Sequence, residues 1–288
     1  MALGNLAQRA LVAVVAAPLL VLILYFDRPE PTWALVFAAS LLAMNELLAM
    51  TMKDHPRDRR ILLALGGLAC ALLYWLHPAA LGRFWQSHQA AMVLSNGSML
   101  AMMFAVVAPG LYYLFRFGDM TSAAPRWSYA ITSIFYCGFT ATTLAMSKRD
   151  FGVAGGDVVL MILLLAWIGD TGAYFAGRFL GKRKLYPEVS PKKTWAGAVG
   201  GLAGSVAAVA AMKLLRLPSM SWLDVALIGV PGAALGQMGD LVESLIKRSV
   251  GVKDSGALLP GHGGMLDRID AVLFIAPYVY LYRAMSGG

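Results

Sequence analysis

The chain has 288 residues, 59% of them hydrophobic and only 14% charged, with a formal net charge of +8. That balance, with a positive mean hydropathy, excludes a soluble globular chain and places this one in the polytopic membrane class. The basic residues lack the aromatic interleaving of a single-strand groove, so no nucleic-acid partner is expected.

A span needs about 20 mostly apolar residues. On that measure the sequence predicts nine transmembrane helices, near 8–27, 32–52, 60–77, 91–115, 128–146, 157–180, 195–214, 222–247 and 266–285. The expected fold is therefore all-α, a single membrane domain over 1–288, with N-terminal spans in 1–150 and the working half in 151–288. The first segment has one Arg before its apolar run and no convincing small-residue cleavage site, so it reads as a retained span. The second holds Asn45 and Glu46, the main polar exception before residue 150. Cys70 and Cys137 both lie in apolar runs and read as buried small hydrophobes, not as a disulfide or a thiolate metal site. Sixteen Met and 30 Gly suit helix packing in lipid.

Nine spans sort the loops onto two sides. Arg9, Lys53, Arg57, Arg59, Arg60, Arg116, Arg126, Arg178, Lys182, Arg183, Lys184, Lys192, Lys193, Lys247, Arg248 and Lys253 fall on one; Arg28, Arg83, Lys148, Arg149, Lys213, Arg216 and Arg283 fall on the other. The positive-inside rule puts the N-terminus and the richer side in the cytosol. Orientation and anionic headgroups then account for the net charge.

Charges within spans are costly, and each is a functional-site candidate. Asp170, in the sixth span, is flanked by Gly169, Thr171 and Gly172, which leave room for a ligand or a helix. The alternative is an Asp paired with a buried cation for structure alone. Residues 181–201 follow, with Ser190, Pro191, Lys192, Lys193 and Thr194 ahead of an apolar helix. Thr194 is placed as its N-cap, and lysines beside a helix N-terminus suit phosphate, although the P-loop spacing is absent. An ordinary cap in a positive-inside loop is the bland alternative. Asp240, near the end of the eighth span, is followed by Glu243, Ser244 and Lys247 at +3, +4 and +7 on the same face, where a salt-bridge ladder is the structural alternative.

The densest run is 244–270, which crowds Lys247, Arg248, Lys253, Asp254, Asp267, Arg268 and Asp270 between two apolar segments. Asp267 and Asp270 stand at i and i+3 near the start of the last span. They could simply complement the helix dipole. The preceding Pro260, Gly261, His262, Gly263 and Gly264 form a loop able to offer backbone N–H groups to an anion. His262 has no second His or Cys nearby, which argues against zinc. The ends bearing Asp240 and Asp267 and the loops bearing Lys192, Lys193 and His262 all fall on one side. Carboxylates able to hold Mg²⁺ thus converge with lysines able to hold phosphates, which describes a nucleotide-using enzyme at the membrane surface.

At these residues the chain resembles the phosphatidate cytidylyltransferases, or CDP-diacylglycerol synthases. Ser244, Lys247, Arg248, Lys253, Asp254, Pro260, His262, Gly263, Gly264, Asp267, Arg268 and Asp270 fill the family signature without a departure. Ser190 to Thr194 with Gly197, and Asp170 to Tyr174, also resemble family motifs. The resemblance implies transfer of CMP from CTP to phosphatidate, giving CDP-diacylglycerol and pyrophosphate for phospholipid synthesis. It implies a homodimer in the cytoplasmic membrane with the site facing the cytosol. Asp240 and Asp267 are then expected to hold Mg²⁺, with Asp270 and Asp170 as further ligands. Ser190, Lys192, Lys193, Thr194 and Lys247 or Arg248 would serve the phosphates, and the His262, Gly263 and Gly264 loop would line the nucleotide pocket. The rival readings are a CTP-dependent lipid-alcohol kinase and, from another class, an ion-coupled transporter. The latter is disfavoured by charges gathered at one face and by the lack of visible inverted halves.

Overall fold

Lipid offers no hydrogen-bond partners, so a chain of this composition must satisfy its backbone within helices. The computed structural model, which describes residues 17–77, 96–116, 120–256 and 263–286, does so almost throughout. Residues 17–24 are helical. They are followed by α1 (Glu30–Thr51), α2 (Pro56–Trp75), α3 (Gly97–Phe115), α4 (Ala123–Asp150), α5 (Gly155–Leu180), α6 (Trp195–Leu215), α7 (Trp222–Ser249) and α8 (Leu266–Met285). Local chemistry marks several starts. Pro56 opens α2, where its missing N–H costs nothing. Thr194 caps α6 by accepting from Gly197 N at 3.1 Å, as expected. Ser221 and Asp224 form a reciprocal capping box on α7.

These eight helices occupy the positions of the second to ninth expected spans; residues 8–16 of the first, expected over 8–27, lie outside the described residues. Six of them, α1 and α3 to α7, are long and apolar enough to cross a membrane. The chain is an all-α polytopic membrane protein, and the count of nine is not confirmed. The remaining two, α2 and α8, carry charged first turns, Arg57 to Arg60 and Asp267 to Asp270. On α3 the exposed face is Met99, Leu100, Met103, Leu111, Leu114 and Phe115, a surface that suits lipid tails.

Two local features depart from plain helices. The segment 184–194, expected as a loop, is an antiparallel hairpin of β1 (Lys184–Tyr186) and β2 (Ser190–Thr194), pairing Lys184 with Thr194 and Tyr186 with Ser190. Pro191 is tolerated because a two-stranded ribbon has only edge strands. Within α4, Ile134–Phe139 is π-helical, and Gly138 there lies so close to Cys70 Sγ that a Cβ would come within 2.6 Å. Both cysteines are buried and free, as the sequence suggested.

One apolar core runs from Leu24 and Met44 through Met161 and Ile162 to Leu273 and Ile275. Against it, α5 and α6 approach along glycines. A Cβ on Gly172 would meet Gly200 O at 2.5 Å, and one on Gly204 would meet Ile168 O at 2.7 Å. Small residues at such a seam let backbones touch. This seam fixes the level of Asp170, between Gly169 and Gly172, against the start of α6. A second polar anchor ties α2, α3 and α4: buried Asp58 accepts from Tyr112 Oη at 2.8 Å and Arg126 Nη1 at 2.9 Å, and pairs with Arg116.

Candidate active site

A cavity of about 430 Å³ opens between α5, the hairpin, α6 and α7. From α5 it takes Asp170, Tyr174 and Arg178; from the hairpin and the α6 cap, Lys192, Lys193 and Thr194; from α7, Gln237 and Asp240. These positions follow from helical spacing. Asp170, Tyr174 and Arg178 stand four residues apart and share one face, as Gln237 and Asp240 do at i and i+3. Lys193 Nζ lies 2.6 Å from Asp240 Oδ2, the two side chains being 25% and 33% exposed. Asp240 Oδ1 has only a 3.5 Å contact from Ser244 Oγ. Arg178 donates to Tyr174 Oη at 2.6 Å. Lys192 is exposed at the rim.

Asp270 stands close enough for its charge to interact with those of Asp240, Asp170 and Lys193, and Asp170 interacts in turn with Asp240, Lys193 and Arg268. Asp270 and Asp170 thus lie within electrostatic reach of the Lys193–Asp240 pair. Gly239 lets α8 approach α7 at this level, since a Cβ there would lie 2.6 Å from Asp270 O.

A second group lies deeper between α7 and α8. Lys247 is ion-paired to Glu243 one turn before it and to Asp267 Oδ1 at 2.6 Å. The other oxygen of Asp267 accepts from Ser255 N at 3.1 Å, Ser255 Oγ at 2.9 Å and Gly264 N at 2.9 Å. Both oxygens are thus engaged. Gly263 has φ +79°, and a Cβ on it would come 2.9 Å from Asp267 Oδ2, so this turn requires glycine. Glu243 Oε1 is buried, and among the described residues it meets no hydrogen-bond donor.

The expected residues thus divide. Asp170, Lys192, Lys193, Thr194 and Asp240 border the cavity, with Asp270 beside them. Lys247, Asp267 and Gly264 form the inner group together with Glu243. Ser190 starts β2, facing Tyr186 across the hairpin. Arg248 is exposed and donates to Val252 O at 3.1 Å. His262, with Pro260 and Gly261, lies outside the described residues. Sequence reading missed Arg178, Gln237 and Ser255. The first two were recoverable, Arg178 as the second i+4 step beyond Asp170 and Gln237 as the residue three before Asp240; Ser255 has no local signal.

Comparison with known proteins agrees with this chemistry. The sequence matches the cytidylyltransferase family over residues 7–286. It is similar to the phosphatidate cytidylyltransferase of Bacillus subtilis, at 32% identity over 284 residues that cover 98% of both chains. The phosphatidate cytidylyltransferase of Staphylococcus epidermidis is 35% identical over 244 residues, 84% of this chain and 85% of the relative. That of Brucella suis is 37% identical over 199 residues, 67% and 69% of the two chains.

Proposed function

The chain belongs to the cytidylyltransferase family, and from that premise we propose that it is the nucleotidyltransferase which moves CMP from CTP to phosphatidate, releasing pyrophosphate and leaving CDP-diacylglycerol in the membrane. The observation that carries this reading is one shared cavity lined by Lys192, Lys193 and Arg178 together with Asp240 and Asp170. Cations there suit a triphosphate and a phosphatidate headgroup. The carboxylates suit the divalent ion that accompanies a nucleotide.

In this reaction a phosphatidate oxygen attacks the α-phosphorus of CTP and the bond to the β-phosphate oxygen breaks, so charge grows on the departing pyrophosphate. Little covalent help is needed, and positioning with charge neutralisation does most of the work. Lys193, released from Asp240 by an incoming phosphate, would stabilise that charge. Lys192 and Arg178 would hold the outer phosphates, and Thr194 would fix the N-terminus of α6 under them. Ser190 and Arg248 are assigned to the phosphate side with less direct contact, and the His262 to Gly264 loop to the nucleotide.

Among the described residues no three His, Cys, Asp or Glu side chains form a ready cluster. Yet Mg²⁺ commonly uses one or two carboxylates and completes its shell with phosphate oxygens and water. Asp240 fits that role, being partly exposed to the cavity with Oδ1 almost free; Asp170 and Asp270 are carboxylates whose charges interact with its own. Asp267 fits as a second ligand only if Lys247 gives up its oxygen. When bound, the ion would supply Lewis-acid neutralisation of the phosphates. By family analogy the protein works as a homodimer in the cytoplasmic membrane, with this cavity facing the cytosol.

The test is one incubation of purified protein in mixed micelles with CTP, phosphatidate and Mg²⁺, scored by mass. Pyrophosphate and CDP-diacylglycerol in equal amounts are expected. CDP with a phosphorylated lipid would mean γ-phosphoryl transfer and overturn the reading.

A further inference from the structure

We propose that Glu46, on α1 in the N-terminal half, is a positioning residue for this site: it caps α8 from across the molecule and thereby sets the place of Asp267. The first N–H groups of a helix have no partner within it, and they are usually met by a Ser, Thr, Asp or Asn just upstream. In α8 the preceding Met265 gives no side-chain cap. Instead Met265 N donates to Glu46 Oε1 and Leu266 N to Glu46 Oε2, both at 2.9 Å. Glu46 is only 7% exposed, so these bonds form in a dry setting where charge-assisted bonds are strong and where a carboxylate at a helix N-terminus is favoured by the dipole.

The same carboxylate reaches the inner group. Ser255 Oγ lies 3.0 Å from Glu46 Oε2 and 2.9 Å from Asp267 Oδ2, so one hydroxyl links the two acids. Two glycines make the seat possible. A Cβ on Gly256 would come 2.7 Å from Glu46 Oε1 and 2.9 Å from its Cδ, and one on Gly264 would come 2.5 Å from Glu46 Oε2. The glycines at 256 and 264 thus leave space for a side chain more than 200 positions earlier. Asp267 directly follows the second capped residue, so a loosened first turn would move it relative to Lys247 and Gly264.

The proposal rests on the reaction proposed above only for its kinetic readout; amide exchange at the start of α8 tests the cap whatever the reaction is. With the full chain in mixed micelles, Glu46→Gln keeps the shape but turns an acceptor into a donor facing a backbone N–H. Exchange of the Met265 and Leu266 amides is expected to speed up by roughly tenfold or more, while α5 and α6 are unchanged. In the CTP and phosphatidate assay kcat should fall by about tenfold or more, with the KM for CTP shifted by less than about threefold. Unchanged exchange overturns the cap. Faster exchange with unchanged kcat reduces Glu46 to a structural role and overturns positioning. A wild-type protein that makes no CDP-diacylglycerol refutes the reaction and leaves the exchange result standing. If Glu46→Gln does not fold, Gly256→Ala is compared with Gly256→Ala plus Glu46→Asp. The shorter acid should make room for the added methyl and restore slow exchange and several-fold higher kcat; no recovery overturns the proposal.

Discussion

Two lysine–aspartate pairs are built around α7, with the same Nζ to oxygen distance of 2.6 Å and different surroundings. Lys193 and Asp240 are a quarter and a third exposed to the cavity, whereas Lys247 and Asp267 are 11% and 13% exposed and share Glu243, at 1%. An ion pair open to water is worth little and exchanges partners readily. A buried one is expensive to break because it strands a charge without solvent. The first pair can therefore open, giving Lys193 to a phosphate and Asp240 to a cation, while the second holds α7, α8, Ser255 and Gly264 in register. Distance alone does not separate chemistry from scaffold; burial and the number of engaged lone pairs do.

The largest expected effect falls on the buried pair. Lys247→Met strands Glu243 and Asp267 and should destabilise the protein by about 3–5 kcal/mol, read as a large loss of thermal stability in detergent with activity lost in parallel. Adding Glu243→Gln should return part of that stability. A variant that melts like wild type would show that the inner group is no scaffold. Next comes Asp240→Asn, expected to lower kcat by roughly 10²–10³-fold with little change in melting temperature. Matching losses of stability and activity there would erase the distinction between the pairs. Lys193→Ala should be milder, raising the KM for CTP by about 10–100-fold through loss of one charged hydrogen-bonding partner. A defect confined to phosphatidate affinity would move Lys193 to the lipid side of the cavity.

The exposed pair was closer to legible than the buried one. Lys193 follows from its place beside the α6 cap and Asp240 from an acid near a span end, and both fell on one side once the spans were counted. The Glu243 to Lys247 contact is an i, i+4 pair readable from spacing. Its third member, Asp267, joins only because α7 and α8 pack side by side, and no local pattern encodes that. Glu46 was visible as an unusual acid in an apolar span, but its partners lie more than 200 residues away. The hairpin falls in a segment that reads as a positive-inside loop, and Pro191 within β2 is tolerated because both strands are edges. The π-helical turn at Ile134–Phe139 brings Gly138 against Cys70 and Met44, a contact that composition does not display. Hydropathy located the helices well, but the charged first turns of α2 and α8 set those two apart from the six evident spans.

The smallest effect is expected at an ion pair remote from the cavity whose cation is exposed, even though its acid, Asp157, is only 13% exposed. Arg216, just after α6, donates through Nε to Asp157 Oδ1 at 2.9 Å, and its guanidinium lies 5.0 Å from the centroid of the Tyr25 ring. The geometry is as good as that of the two pairs on α7. Yet the Arg216 side chain is 51% exposed, so water replaces the aspartate at little cost when the contact is lost. Tyr25 Oη still donates to Asp157 at 2.5 Å, which leaves the acid with a partner. Arg216→Ala should therefore melt like wild type and turn over CTP at the same rate, measured in the same micelles as the α7 variants. A clear loss of stability would mean that ion-pair geometry outweighs exposure in this protein, and the ranking of Lys247 above Asp240 and Lys193 would need to be rebuilt on distance.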